Sequence, residues 1–111
     1  MKNKIYYYSN SRGDEVVNNF ISSLDISTRA KTMRMVDLLE TFGHQLSLPY
    51  CKKVSRNLYE LRIRGKNHVR IFYAFVGNEI IMLHGIKKKS DKLPKKYIEL
   101  AQQRYDNVVD K

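Results

Sequence analysis

Two arginines and a lysine run, set in strand-like sequence, are the side chains of this protein best suited to chemistry at a phosphate. They lie in the stretch Leu58 to Lys92, LYELRIRGKNHVRIFYAFVGNEIIMLHGIKKKSDK. Successive side chains of a strand face opposite sides. With Tyr59, Leu61 and Ile63 as the inward set of one strand, Glu60, Arg62 and Arg64 face the other way. In the next strand Val69, Ile71, Tyr73 and Phe75 form the apolar set, and Arg70 joins His68 and Phe72 on the opposite side. Adjacent antiparallel strands then present Arg62 and Arg70 from one surface, with His84 and Lys87, Lys88 and Lys89 at the end of the last strand. A guanidinium grips phosphate oxygens with a fixed fork and keeps its charge. An imidazole has an intrinsic pKa suited to proton transfer near neutrality. Strict alternation places His84 with Ile80 and Met82, so a half-buried histidine satisfied by the backbone is the competing reading. For Arg70 the competing reading is a solvated charge on an exposed sheet face, but a charge in mid-strand among apolar residues needs a reason, which favours a functional role.

Charge supports a polyanionic partner. The formal net charge is +10 with a pI near 9.8. Through Tyr50 there are six Lys/Arg against five Asp/Glu, and from Cys51 onward fifteen against six, so the excess sits on the hairpin region and the C-terminal segment beyond it. Such one-sided charge favours nucleic acid before membrane. Lys52, Lys53, Lys66, Lys89 and Lys92 are the candidates for general attraction to RNA phosphates. The single cysteine, Cys51, excludes an internal disulfide and suits a reducing cytoplasm. It lies in a loop-like LPYCKKVS segment with no positioned base, which argues against a catalytic thiol. His44, His68 and His84 have no ligand-like spacing, so neither a metal nor another cofactor is expected. No apolar run is long enough for a membrane span and no signal-peptide core comes after Met1, so a cytoplasmic protein is expected.

Periodicity gives the elements that must position these residues. The length of 111 residues fits one domain, 1–111. Lys4 to Ser9, with three consecutive tyrosines, reads as a first strand. A helix is predicted from about Asp14, with Val17, Phe20, Ile21 and Leu24 at helical spacing. Asp25 or Ser27 caps a second helix to about Phe42, with Ile26, Ala30, Met33 and Leu39 as its apolar stripe and Gly43 as its stop. Leu48 to Ser55 is read as a connector. Gly65-Lys66-Asn67 and Gly77-Asn78 are hairpin turns. The strand from Ile80 to Ile86 is apolar on both parities, as a strand covered on both sides should be. After Pro94 a final helix carries Tyr97, Ala101, Tyr105 and Val108 on one stripe. The predicted order β-α-α-β-β-β-α defines an α+β domain: a small antiparallel sheet, two N-terminal helices and one C-terminal helix, with helices mainly on one face.

Leu58-Tyr59-Glu60-Leu61-Arg62, Val69-Arg70-Ile71-Phe72-Tyr73 and Ile81-Met82-Leu83-His84-Gly85-Ile86-Lys87-Lys88 together resemble the RelE/ParE superfamily of bacterial toxins, in particular its HigB-like branch. Pro94 followed by Ile98, Ala101 and Arg104 is similar as well. The resemblance spans the chain in element order, while its specific motifs lie in the second half. It implies a RelE-like fold and the toxin of a type II toxin–antitoxin pair. The implied activity is a metal-independent, ribosome-dependent endoribonuclease, an mRNA interferase that cuts translated messages. The implied partners are a cognate antitoxin, of helix-turn-helix type, and the ribosome with its mRNA.

Metal-free RNA cleavage uses the 2′-hydroxyl as nucleophile on the neighbouring phosphate. The protein must then stabilise the extra negative charge and manage two protons. Arg70 matches the arginine that precedes an apolar-aromatic strand run in the nuclease toxins, and Arg62 a basic residue one strand earlier. Lys87 and Lys88 occupy the place where nuclease relatives carry basic catalytic residues, and His84 is the proton-transfer candidate. Tyr97 lies near a catalytic tyrosine of some relatives, but its apolar stripe argues for the core. Tyr73 faces away from Arg70. The alternatives are a ParE-like gyrase poison or a non-catalytic basic RNA-binding module, for which Phe72 is the one aromatic available for base stacking.

Overall fold

The computed structural model describes residues 2–65, 68–88 and 94–110. In chain order its elements are β1 (Lys4–Tyr7), α1 (Val16–Ser22), α2 (Ile26–Phe42), β2 (Cys51–Lys53), β3 (Tyr59–Ile63), β4 (His68–Val76), β5 (Glu79–Lys88) and α3 (Lys95–Val109). The strands form one five-stranded sheet in the order β1-β5-β4-β3-β2. The domain is α+β, and the hairpin strands fall where the two-residue alternation predicts them. Gly77 and Asn78 connect β4 to β5, while Lys66 and Asn67 of the other turn lie outside the described residues.

Two features of the sheet differ from the sequence reading. The Leu48 to Ser55 segment holds a strand, with Cys51 opposite Leu61 and Lys53 opposite Tyr59. Backbone pairing along β3 makes it a strand, although a three-residue lysine-bearing piece shows no apolar alternation. The sheet is also mixed, because β1 pairs parallel with β5, Lys4 opposite Glu79 through Tyr7 opposite Met82. Parallel neighbours need a long connection, and here everything from α1 to β4 supplies it.

Both faces of the sheet are covered. α1 and α2 close a core of Val17, Ile21, Leu24, Val36 and Leu39 over Leu61, Ile63, Val69, Ile71, Tyr73, Ile80 and Met82. On the other face α3 brings Tyr97, Ile98, Ala101 and Tyr105 onto Phe72, Ala74, Leu83 and Ile86. The third helix therefore does not join the first two on one face. Coverage on both sides is why β5 is apolar at both parities.

Local chemistry sets the helix ends. The Asp25 carboxylate accepts a hydrogen bond from the Thr28 N–H at 3.1 Å and starts α2. The N–H of Gly43 returns to the Leu39 carbonyl at its end. The first helix begins at Val16 instead of Asp14. The Asp14 N–H is held in a turn by Asn10 Oδ1 at 3.0 Å, which also accepts from the Arg12 N–H at 2.9 Å. The buried stripe of α2 is Thr28, Thr32, Val36 and Leu39, while Ile26 is 77% exposed and Met33 40%. Hydropathy misplaces this stripe because two threonines line the core. Thr32 can do so because its hydroxyl donates to the Thr28 carbonyl at 2.8 Å and leaves no hydroxyl proton unsatisfied.

One irregularity decides the working face. β4 and β5 pair in step from Val76 opposite Glu79 to Tyr73 opposite Met82, and then Phe72 pairs with His84. Leu83 is a surplus residue, a β-bulge that shifts the alternation of β5 by one. His84, Ile86 and Lys88 therefore stand on the α3 side, and Gly85 and Lys87 on the α1 side. At Gly85 an added Cβ would meet the Phe20 ring of α1 at less than van der Waals distance. Gly85→Ala is accordingly expected to cost about 1–3 kcal/mol through overpacking. Urea melts of Gly85→Ala alone and combined with Phe20→Leu check this: the second change should restore most of the stability, and equal destabilisation in both would contradict the contact.

Candidate active site

The face under α3 is built in rows by the sheet register. Lys52, Glu60, Phe72 and His84 stand opposite one another across β2, β3, β4 and β5. The next row is Arg62, Arg70 and Ile86, and the one beyond it pairs His68 with Lys88. α3 covers Phe72 and its neighbours, which are buried, whereas Arg62 and Arg70 keep 23% and 12% of their side chains open.

Glu60 organises this patch. Only 2% of the residue is exposed, and its Oε1 accepts from Arg62 Nε at 2.9 Å while lying 3.7 Å from Arg70 Nε. Arg70 Nη1 also donates to the Val69 carbonyl at 3.0 Å. Burial draws the Arg70 pKa below its ordinary value, Glu60 opposes that shift, and Arg62 and Arg64 add to it. Alternation places Glu60 beside Arg62, but sequence reasoning assigns it no role. The available signal is an acidic residue two positions from one arginine and near another across the hairpin.

His84 is held by α3. Arg104 Nη1 donates to the Leu83 carbonyl at 2.8 Å and lies 3.2 Å from His84 Nδ1. A guanidinium has only donors, so Nδ1 accepts and the ring proton resides on Nε2. Nε2 is buried, with no hydrogen-bond partner among the described residues. The ring stacks on Tyr97 at 5.5 Å between centroids and lies parallel to Phe72 at 6.4 Å. Burial first, and the Arg104 charge second, push the His84 pKa down to about 4. Arg104 also rests over the Tyr8 ring at 5.3 Å. Sequence reasoning misses this role, although position 104 shares the helical stripe of Tyr97 and Ala101, where a cation needs a partner.

The residues singled out by sequence divide between the two faces of the sheet. Arg62, Arg70, His84, Lys88 and Lys52 share the α3 face. Lys87, opposite Val69, stands on the other face. So does Lys53, whose ammonium lies 5.8 Å from the Tyr59 ring centre. Lys66, Lys89 and Lys92 lie outside the described residues. Phe72 is fully buried beneath α3 and offers no surface for stacking a base. Among the described residues no group of three or more His, Cys, Asp or Glu could hold a metal ion. No helix among them is long and apolar enough to cross a membrane.

This α+β fold, with cations gathered on the open end of one sheet face, is of the small RelE-like toxin kind. Residues 19–106 match the family described as phage derived protein Gp49-like (DUF891), and the chain belongs to that family, a RelE-like family of type II toxins. Membership implies an antitoxin partner. Comparison with curated proteins finds no match.

Two outcomes test this geometry. Glu60→Ala leaves two guanidiniums crowded without their carboxylate and should destabilise the fold by about 3 kcal/mol, measured by urea melts. A change below about 1 kcal/mol would mean that Glu60 does not hold the pair. His84 binds its proton more weakly folded than unfolded, so its contribution to stability is complete above the unfolded pKa of 6.5. That contribution disappears as pH falls from there towards the folded pKa of about 4. Nitrogen NMR of the imidazole should show the neutral Nε2–H form at pH 6.5, with protonation setting in only as the pH approaches about 4. A ring that protonates near its ordinary pKa would contradict the assignment.

Proposed function

We propose that this chain is a HigB-like mRNA interferase: a metal-independent endoribonuclease that cuts messages on translating ribosomes in the cytoplasm until its antitoxin binds. The observation that carries this reading is Arg62 directly opposite Arg70, both on the buried Glu60, at the open end of the α3 face. A binding module gains attraction from scattered cations, and a gyrase-directed toxin has no need of two guanidiniums on one carboxylate. A phosphate in transition does need them, because its developing charge is met by donors already fixed in place.

In the proposed reaction the 2′-oxygen attacks the adjacent phosphorus and passes its proton to a water molecule. The bond to the 5′-oxygen breaks and that oxygen takes up a proton from water, leaving a 2′,3′-cyclic phosphate. Arg70 and Arg62 stabilise the pentacoordinate phosphorane. Lys88, on the same face, and Lys52, on the edge strand, hold flanking phosphates. His84, with Nδ1 bound to Arg104, Nε2 buried and its ring between Tyr97 and Phe72, is neutral near pH 7 and positions the α3 side of the site without serving as the base. Lys87 and Lys53, from the other face, attract ribosomal RNA, together with Lys66, Lys89 and Lys92.

Brief induction followed by primer extension on cellular transcripts is the decisive experiment. Breaks are expected within translated messages. Arg70→Ala should lower single-turnover cleavage by about 10²–10³-fold, as removal of one transition-state donor does, when assayed below its own melting transition, which falls because Glu60 keeps only Arg62 as a partner. Unbroken messages during growth arrest, or full activity in Arg70→Ala, would overturn the reading.

A further inference from the structure

A second basic site lies around the β3 end of the sheet from Arg70. Between α2 and β3 there is a cleft of about 370 Å³ whose rim carries Lys31, Arg34, Arg62 and Arg64, with no acidic residue in its lining. Its floor is apolar, formed by Leu38 and Ile63, and Tyr50, with 47% of its surface exposed, stands at its wall. No carboxylate among the described residues lies within ion-pair distance of Lys31, Arg34 or Arg64, so these charges are not spent within the fold. The backbone beside Lys31 leaves room for it: its Nζ sits so close to Gly65 that a Cβ there would come within 2.7 Å of it.

We propose that this cleft is a binding site for single-stranded RNA, taking one unstacked base against Tyr50 and the apolar floor and the flanking phosphates on Lys31, Arg34 and Arg64. The inference rests on the ribonuclease reading for the identity of the strand. Arg62 belongs both to the cleft rim and to the Glu60 cluster, so one strand can pass from the cleft around the Arg64 end of β3, beyond β2, to Arg70. A volume of about 370 Å³ has room for a base and its sugar, whereas an acidic amphipathic helix would have to bury several side chains at once. Stacking on an exposed ring is tolerant of sequence and selects single strands over duplex, whose bases are already stacked. The cleft thus holds the substrate on the side of the sheet opposite α3 and feeds it towards the cluster.

The test measures fluorescence anisotropy of the full-length Arg70→Ala protein with a labelled RNA of about 12 nucleotides, single-stranded and as duplex, at several salt concentrations. The added changes are Lys31→Ala with Arg34→Ala, Tyr50→Ala and Tyr50→Phe. The double cation change should weaken single-strand binding about tenfold and lower the salt slope by about 0.7 for each phosphate no longer neutralised. Tyr50→Ala should weaken it about fivefold or more, and Tyr50→Phe should retain it. Unchanged affinity and slope in the double variant, or duplex bound as tightly as single strand, overturns the proposal. So does a peptide of alternating Asp and Leu that binds more tightly than RNA through the same residues, which would assign the cleft to a protein. If the unmodified protein cuts no message while the cleft variants lose RNA binding, the ribonuclease reading fails and the cleft stands. If the protein cuts messages and the cleft variants bind RNA unaltered, the cleft fails and the ribonuclease reading stands.

Discussion

Two guanidiniums directly opposite each other on neighbouring strands repel, and the buried Glu60 carboxylate is what makes the arrangement tenable. Taking the carboxylate out of water is costly, so the cluster persists only because both arginines meet the same oxygen from β3 and β4. The result is a fixed pair of cations with one charge compensated, held by two strands paired from Tyr59 through Ile63. Flexibility at this point would cost more than position: it would expose an unpaired charge to an interior that cannot solvate it.

The helices divide the remaining labour by face. α1 and α2 close the larger core, and α2 meets the arginines where Arg62 reaches the cleft beside Lys31 and Arg34. α3 closes the smaller core and also fixes His84, since Tyr97 and Arg104 of that one helix touch different parts of the same ring. Packing and orientation are thus one event on the α3 side. A change in how α3 lies on the sheet alters the histidine before it alters the arginines.

What the sequence discloses and what it withholds have physical causes. The hairpin strands and the convergence of Arg62 with Arg70 are legible because a two-residue period is local and needs no partner to be seen. The β2 strand is hidden because a strand three residues long is made by its neighbour's hydrogen bonds. The buried stripe of α2 is misread because hydropathy assigns Thr28 and Thr32 to water, while the Thr32 hydroxyl can satisfy its proton on the helix backbone. Arg104 stands in an apolar stripe, and its partners come from another element and are not visible along the helix. Strict alternation places His84 on the wrong face, since the surplus Leu83 leaves no signature in composition.

That surplus residue gives β5 a property that side-chain chemistry does not capture. Every position beyond Leu83 owes its face to a count and not to an identity. Removing or adding one residue there would exchange His84, Ile86 and Lys88 with Gly85 and Lys87, carrying side chains into Phe20 on one face and away from Arg70 on the other. A one-residue insertion or deletion there therefore disturbs both faces of the sheet at once, whereas a substitution disturbs only the face on which its side chain stands.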